Sequence, residues 1–255
     1  MTALIKLTLI PLVIWLASLA GRRWGHATTG WITGLPLIAG PIFLFLAYDQ
    51  GPEFAADAAR AALTNTPAAI LHCVVFANTA RRFGWLASLA AGIACFAAVG
   101  LVLLHIPLPL WAGLALCSAT LWLSNKLMPR AAPSSAGAVV IPRSEIVVRM
   151  IAALLLAALI TLGAPLFGPA YSGLLLTFPI SGSIIPAFTR ALHGPEATIR
   201  MLGGFIGGMI AFMLFIFSFG LGLGYLDVAI AFIVAVGVAL AGYFSARTTF
   251  SAGLR

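Results

Sequence analysis

The sequence predicts an all-α polytopic membrane protein. Nine transmembrane helices are expected, folded as a 4+1+4 inverted-topology repeat. Three observations predict this. The chain of 255 residues is 62% hydrophobic and 8% charged, against roughly 25% charged residues in a soluble domain. Its apolar residues fall in continuous runs, not in the alternation of a β-barrel. The stretch "GLPLIAGPIFLFLAYDQGPE", residues 34–53, broken by Pro36 and Pro41 and closed by Gly-Pro-Glu, returns as "TFPISGSIIPAFTRALHGPE", residues 177–196.

The spans are read in order as 4–20, 29–48, 52–80, 84–104, 108–125, 146–164, 170–191, 195–221 and 225–245. Each approaches or exceeds the ~20 residues that cross a bilayer. Residues 4–20 are read as a retained span and not a cleaved signal, because Arg22 and Arg23 flank them and a counterpart occurs later. The stretch "PRAAPSSAGAVVIPRS", 129–144, is a flexible linker by its Pro, Ala, Ser and Gly content.

Alternate assignment of the loops puts Arg22, Arg23, Arg81, Arg82, Lys126, Arg130, Arg143, Arg149, Arg190, Arg200, Arg247 and Arg255 on one face. Only Lys6 and Arg60 fall on the other. The positive-inside rule makes the richer face cytoplasmic. The N-terminus is then outside and the C-terminus cytoplasmic. A net charge of +8 carried in short loops suits membrane topology, and no nucleic-acid partner is expected.

A shift of 143 positions lays Gly30, Pro36, Phe45, Gly51, Pro52 and Glu53 on Gly173, Pro179, Phe188, Gly194, Pro195 and Glu196 without a gap. It also lays 4–20 on 147–163 and 84–104 on 227–247. Repeat 1 is thus 1–105, the connecting helix 106–128, the linker 129–144 and repeat 2 145–255. Four spans return the chain to its starting side and a fifth moves it across, so the second repeat is inverted. Inverted repeats of this kind build many secondary transporters, with a midplane site at discontinuous helices.

Candidate residues follow from the breaks. The second span is interrupted from Pro36 to Pro41 and the seventh from Pro179 to Pro186, with Ser181 and Ser183 available as N-caps. Half-helix N-termini carry free N–H groups and partial positive charge, which suit an anion. Ordinary proline kinks that ease packing are the competing interpretation. The expected substrate-binding residues are Thr33, Pro36, Gly40, Asn65, Thr177, Pro179, Ser181 and Ser183. His72 lies nine residues from Arg81, ~13 Å along a helix. It is the candidate for proton coupling, with a neutral packing histidine as the alternative. Glu53, Glu196, Arg190 and Arg200 are candidate gating residues. Gly-Pro-Glu also fits a plain helix end, helix start and N-terminal acid. In "GGFIGG", 203–208, Gly203 sits over Gly207 and Gly204 over Gly208, a close-packing pattern.

At "TFPISGSIIPAFTRALHGPEATIRMLGGFIGG" the chain resembles the GlpM-like four-helix bacterial inner-membrane proteins. Phe178, Pro179, Gly194, Glu196 and Gly203 carry the resemblance. It implies a fused, inverted pair of such units and leaves the substrate open.

The expected function is secondary transport of a small polar solute, anionic or zwitterionic, across the bacterial inner membrane by alternating access. The alternatives are a lipid-linked translocase and a non-transporting membrane component of an envelope biosynthesis pathway. No enzyme is expected, because the spans hold no His-rich metal motif and no Ser/Lys or Asp/Asp pair at helical spacing. Cys73, Cys95 and Cys117 are at no metal-ligand spacing, so no metal and no cofactor are expected. The expected partners are a small-molecule solute, membrane lipids and a second copy of the chain in a homodimer.

Overall fold

The structure, a computed structural model, describes residues 25–132 and 143–253. The predicted span 4–20, Lys6, Arg22, Arg23 and Arg255, and residues 133–142 of the linker lie outside the described residues.

The described chain is all-helical: α1 Gly25–Thr33, α2 Ala39–Asp49, α3 Pro52–Ala80, α4 Trp85–Leu104, α5 Leu110–Leu127, α6 Arg143–Leu176, α7 Ile180–Gly222 and α8 Val228–Gly253. Five of these, α3, α4, α6, α7 and α8, contain stretches long and apolar enough to cross a membrane. Span 4–20 lies outside the described residues, and the rest of the difference from the nine spans expected has three physical reasons. The second span is cut into α1 and α2, each too short alone. Ser124, Asn125 and Lys126 make the last turns of α5 polar. The sixth, seventh and eighth spans run together into α6 and α7, which turn sharply inside at Gly168 and Gly194.

Those turns are helix ends as much as bends. Gly168 (φ 73°, ψ 176°) and Gly194 (φ 81°, ψ −176°) leave the helical region, and each is followed by a proline. Gly51, at φ 97° and ψ 160°, does the same before Pro52. Positive φ costs glycine little, and Pro fits a first helical turn that has no N–H to satisfy.

α3 and α7 form the centre and are mostly buried, whereas α4, α6 and α8 turn much of their apolar surface outward. Leu86, Val102, Leu162 and Ile233 are each more than half exposed. Long helices that are apolar outside as well as inside suit a lipid surround. α1 packs on α7, α6 on α3, α4 on α3, α8 on α7 and α5 on α3. The α1–α7 contact is backbone to backbone: a Cβ at Gly30 would overlap the carbonyl of Met201, and one at Gly204 the carbonyl of Ala27. In α6, a Cβ at Gly173 would lie 2.5 Å from the Ala58 carbonyl of α3. Small residues permit such approach where no hydrophobic effect drives helices together.

Candidate functional site

The two breaks in the helical chain, 34–38 and 177–179, have matching hydrogen bonds. Leu35 N–H donates to Ile32 (3.2 Å), as Phe178 N–H donates to Leu175 (3.1 Å). Leu37 N–H donates to Leu35 (2.7 Å), as Ile180 N–H donates to Phe178 (2.9 Å). Each of these pairs is separated by 143 positions.

Both breaks border one cavity of about 60 Å³. Its polar wall comes from Thr33, Thr177 and Ser181; Pro179, Ile38 and Phe205 are among its apolar neighbours. Thr33 Oγ1 donates to the carbonyls of Thr29 (2.8 Å) and Gly30 (3.1 Å), and Thr177 Oγ1 donates to Leu174 (2.7 Å). Their protons are spent on their own helices, which leaves lone pairs for the cavity. The space holds a few waters, and it has polar groups to bind them.

The structure therefore brings together Thr33, Thr177, Pro179 and Ser181 of the expected residues. Pro36, Gly40, Asn65, His72 and Ser183 are not on this wall. The Pro36 carbonyl accepts the Gly40 N–H at 2.8 Å. Gly40 faces aromatic rings, its absent Cβ 3.6 Å from Phe215. The breaks are also shorter than expected. Pro41 falls in the first turn of α2, where its missing N–H breaks no helical bond, and Pro186 falls within α7. Neither half-helix has a side-chain cap; its N-cap residue is Ile38 or Pro179. Ser181 and Ser183 are thus not caps.

Ser183 instead joins His72. Pro186 has no N–H, so the carbonyl of Gly182, four residues earlier, loses its helical donor. His72 Nε2 lies 3.3 Å from that carbonyl oxygen and 3.2 Å from Ser183 Oγ. With the proton on Nε2, His72 donates to the orphaned carbonyl. Its Nδ1 packs against Gly92 of α4. A second case follows the same rule. Pro67 frees the carbonyl of Leu63, and Cys117 of α5 donates its S–H to it at 3.0 Å. The positions of the two prolines identify the orphaned carbonyls. The side chains that cover them come from distant helices and carry no local signal.

The candidate gating residues hold backbone. Arg190 Nε donates to the carbonyl of Ala80 at the end of α3 (2.8 Å). Glu196 accepts the N–H of Ala132, and Arg200 Nη1 donates to the Ala132 carbonyl at 2.9 Å. Glu53 is exposed. Among the described residues neither Glu53 nor Glu196 forms a salt bridge with an arginine; Arg60 pairs with Asp57 at 3.1 Å.

Sequence reasoning missed two further features. Glu145 and Arg149, one helical turn apart, form a buried ion pair at 3.9 Å. His26 and His193 meet edge to face at 4.9 Å between ring centroids. Burial first, then His193 and Arg200, push the His26 pKa down to about 4. Among the described residues no group of three His, Cys, Asp or Glu side chains is placed to hold a metal.

Comparison with protein families, with curated proteins and with solved structures finds no match to this chain.

Proposed function

We propose that the chain is a secondary transporter of the bacterial inner membrane. In this reading nine spans form a 4+1+4 inverted repeat, with the N-terminus outside and the C-terminus cytoplasmic. It moves a small anionic or zwitterionic solute by alternating access. One observation carries the proposal: the cavity between the breaks is lined by both members of pairs 143 positions apart. Gly34 and Thr177, Leu35 and Phe178, Leu37 and Ile180, Ile38 and Ser181, and Ala69 and Phe212 all border it. A cavity built from equivalent positions of two repeats lies on the pseudo-twofold axis that relates them. That is where the solute site of an inverted-repeat carrier belongs.

Reciprocal packing supports the same symmetry. Gly30 packs on Met201 and Phe205, and Gly173 packs on Ala58 and Ala62. Subtracting 143 from the first pair of partners gives the second. Each repeat thus lends its broken span to the central helix of the other. The resemblance to GlpM-like proteins accords with a four-helix unit. In this reading the small space widens and admits the solute when one half rocks against the other.

His72 takes a structural part here, because it covers the Gly182 carbonyl away from the cavity wall. Proton coupling through it would require the histidine to release that carbonyl.

The test is exchange in proteoliposomes that carry the purified chain, with radiolabelled glycolate and glycine as probes of the two solute classes. The parent should show saturable exchange of at least one. Thr177→Leu, which fills the cavity, should abolish it without loss of folded protein. Parent vesicles that exchange neither probe faster than empty ones would overturn the proposal. A lipid-linked translocase or an envelope-pathway component would give that result.

A further inference from the structure

A second cavity, of about 230 Å³, opens between α3, α4 and the part of α6 after Gly168. Asp57 and Arg60 stand at one end of it, Thr64 and Asn65 further along α3, and Leu103 and Pro169 on the opposite walls. Asn65 is 1% exposed. Its Nδ2 donates to the Ala61 carbonyl at 2.9 Å, and its Oδ1 has no partner. That oxygen faces Gly100 of α4, whose absent Cβ would lie 3.8 Å away. Buried amide oxygens nearly always have a donor, and an orphan calls for an explanation.

The chemistry of the walls is directional. Thr64 Oγ1 spends its proton on the Arg60 carbonyl at 3.0 Å. On the same cavity wall as Asn65 it therefore presents lone pairs, so this wall accepts hydrogen bonds. Arg60 is half exposed and bonds Asp57 through Nη2, which leaves further guanidinium N–H groups free to bind a carboxylate. Arg60 and Asn65 are five residues apart, about 7.5 Å along the helix, and the arginine stem can reach part of that distance.

The equivalent place in the other half is closed. There Gly204 and Gly208 stand where α3 has Ala61 and Asn65. Without side chains they let α1 pack directly, with the carbonyls of Ala27 and Trp31 where their Cβ atoms would be. On α3 the same two positions carry side chains: Ala61 meets Gly173 of α6, and Asn65 borders the open space.

The geometry points to a solute-binding subsite in this cavity for a small carboxylate that also carries a hydroxyl or ammonium donor. The donor bonds Asn65 Oδ1 and the carboxylate bonds Arg60. The subsite narrows the anionic or zwitterionic class proposed above and rests on that proposal for its biological use. It lies on the Arg60 face, which the charge bias assigns to the exterior.

The test is a thermal-shift titration of the purified full chain in detergent. Serine and glycolate are the donor-bearing carboxylates; propionate lacks the donor and ethanolamine lacks the carboxylate. Serine or glycolate should raise the melting temperature saturably, and propionate and ethanolamine should not. Asn65→Leu, similar in volume but without the acceptor, should weaken that binding at least tenfold while melting as a folded protein. Arg60→Gln should weaken it as well. Should Asn65→Leu unfold, Asn65→Ala, which removes the same acceptor and adds no bulk, replaces it with the same expectation. No saturable shift with either donor-bearing probe would overturn the inference. So would equal shifts with propionate, or unchanged affinity in the folded variant. Because no gradient is present, these outcomes are separate from success or failure of vesicle exchange.

Discussion

Gly30 sits so close to Met201 that a Cβ would overlap the Met201 carbonyl, and Gly173 stands in the same relation to Ala58. The two glycines and their two partners are each 143 positions apart. Gly30→Ala and Gly173→Ala should therefore both destabilise, by about 1–3 kcal/mol each, as overpacking does. At about 2–4 °C per kcal/mol for a chain of this size, melting should fall by several degrees. Gly203→Ala is the control: nothing lies within 4 Å of a Cβ there, and helix propensity favours Ala. Melting in detergent checks all three.

His72 covers the carbonyl that Pro186 orphans. His72→Phe should leave the Gly182 carbonyl buried and unpaired, at a cost of about 1–3 kcal/mol. Pro186→Ala restores the helical N–H donor. In that background His72→Phe should cost clearly less, and a double-mutant cycle measures the difference. Additive effects would mean that the 3.3 Å contact contributes little.

His26 precedes the apolar run 29–48, and its pKa is lowered from 6.5 to about 4. The unfolded chain therefore takes up a proton at a higher pH than the folded one. Stability is at its full value above pH 6.5, falls as pH drops towards 4, and changes no further below that. The His26→Gln variant should lose this part of the acid dependence. Melting from pH 7.5 to 4.5 follows it.

Ala132 is held from both sides, its N–H by Glu196 and its carbonyl by Arg200. The double variant Glu196→Ala, Arg200→Ala, which removes both the acceptor and the donor, should release this part of the linker. Limited trypsin digestion should then cut after Arg130 several-fold faster, with cleavage at sites other than position 200 unchanged.

Much of this was legible because glycine and proline carry backbone geometry with them. Pro36 and Pro179 announced the breaks, and Gly51 and Gly194 the turns before Pro52 and Pro195. The extent of the breaks was harder to read. A proline in a first turn, such as Pro41, breaks nothing, and one further in, such as Pro186, can be accommodated by a distant donor. Hydroxyls near a break looked like caps, yet Ser183 turns to His72 and Ser181 to the cavity. The grouping of Asn65 with Thr33 failed because the rotation of α3 puts Asn65 towards Gly100. That rotation depends on Ala58, Ala61 and Ala62 meeting Gly173, a contact across more than a hundred residues.

The central claim is the inverted repeat, and impermeant thiol labelling in intact cells tests it most directly. Tyr48 and Ala191 are equivalent under the shift of 143, both exposed, and both just ahead of the positive-φ glycines. Cysteine is placed there and not at Gly51 or Gly194, where a side chain would strain the backbone. The parent, with Cys73, Cys95 and Cys117 inside helices, supplies the blank. Tyr48→Cys should react from outside, and Ala191→Cys only after the membrane is opened. Reaction of both from the same face would contradict the inverted repeat.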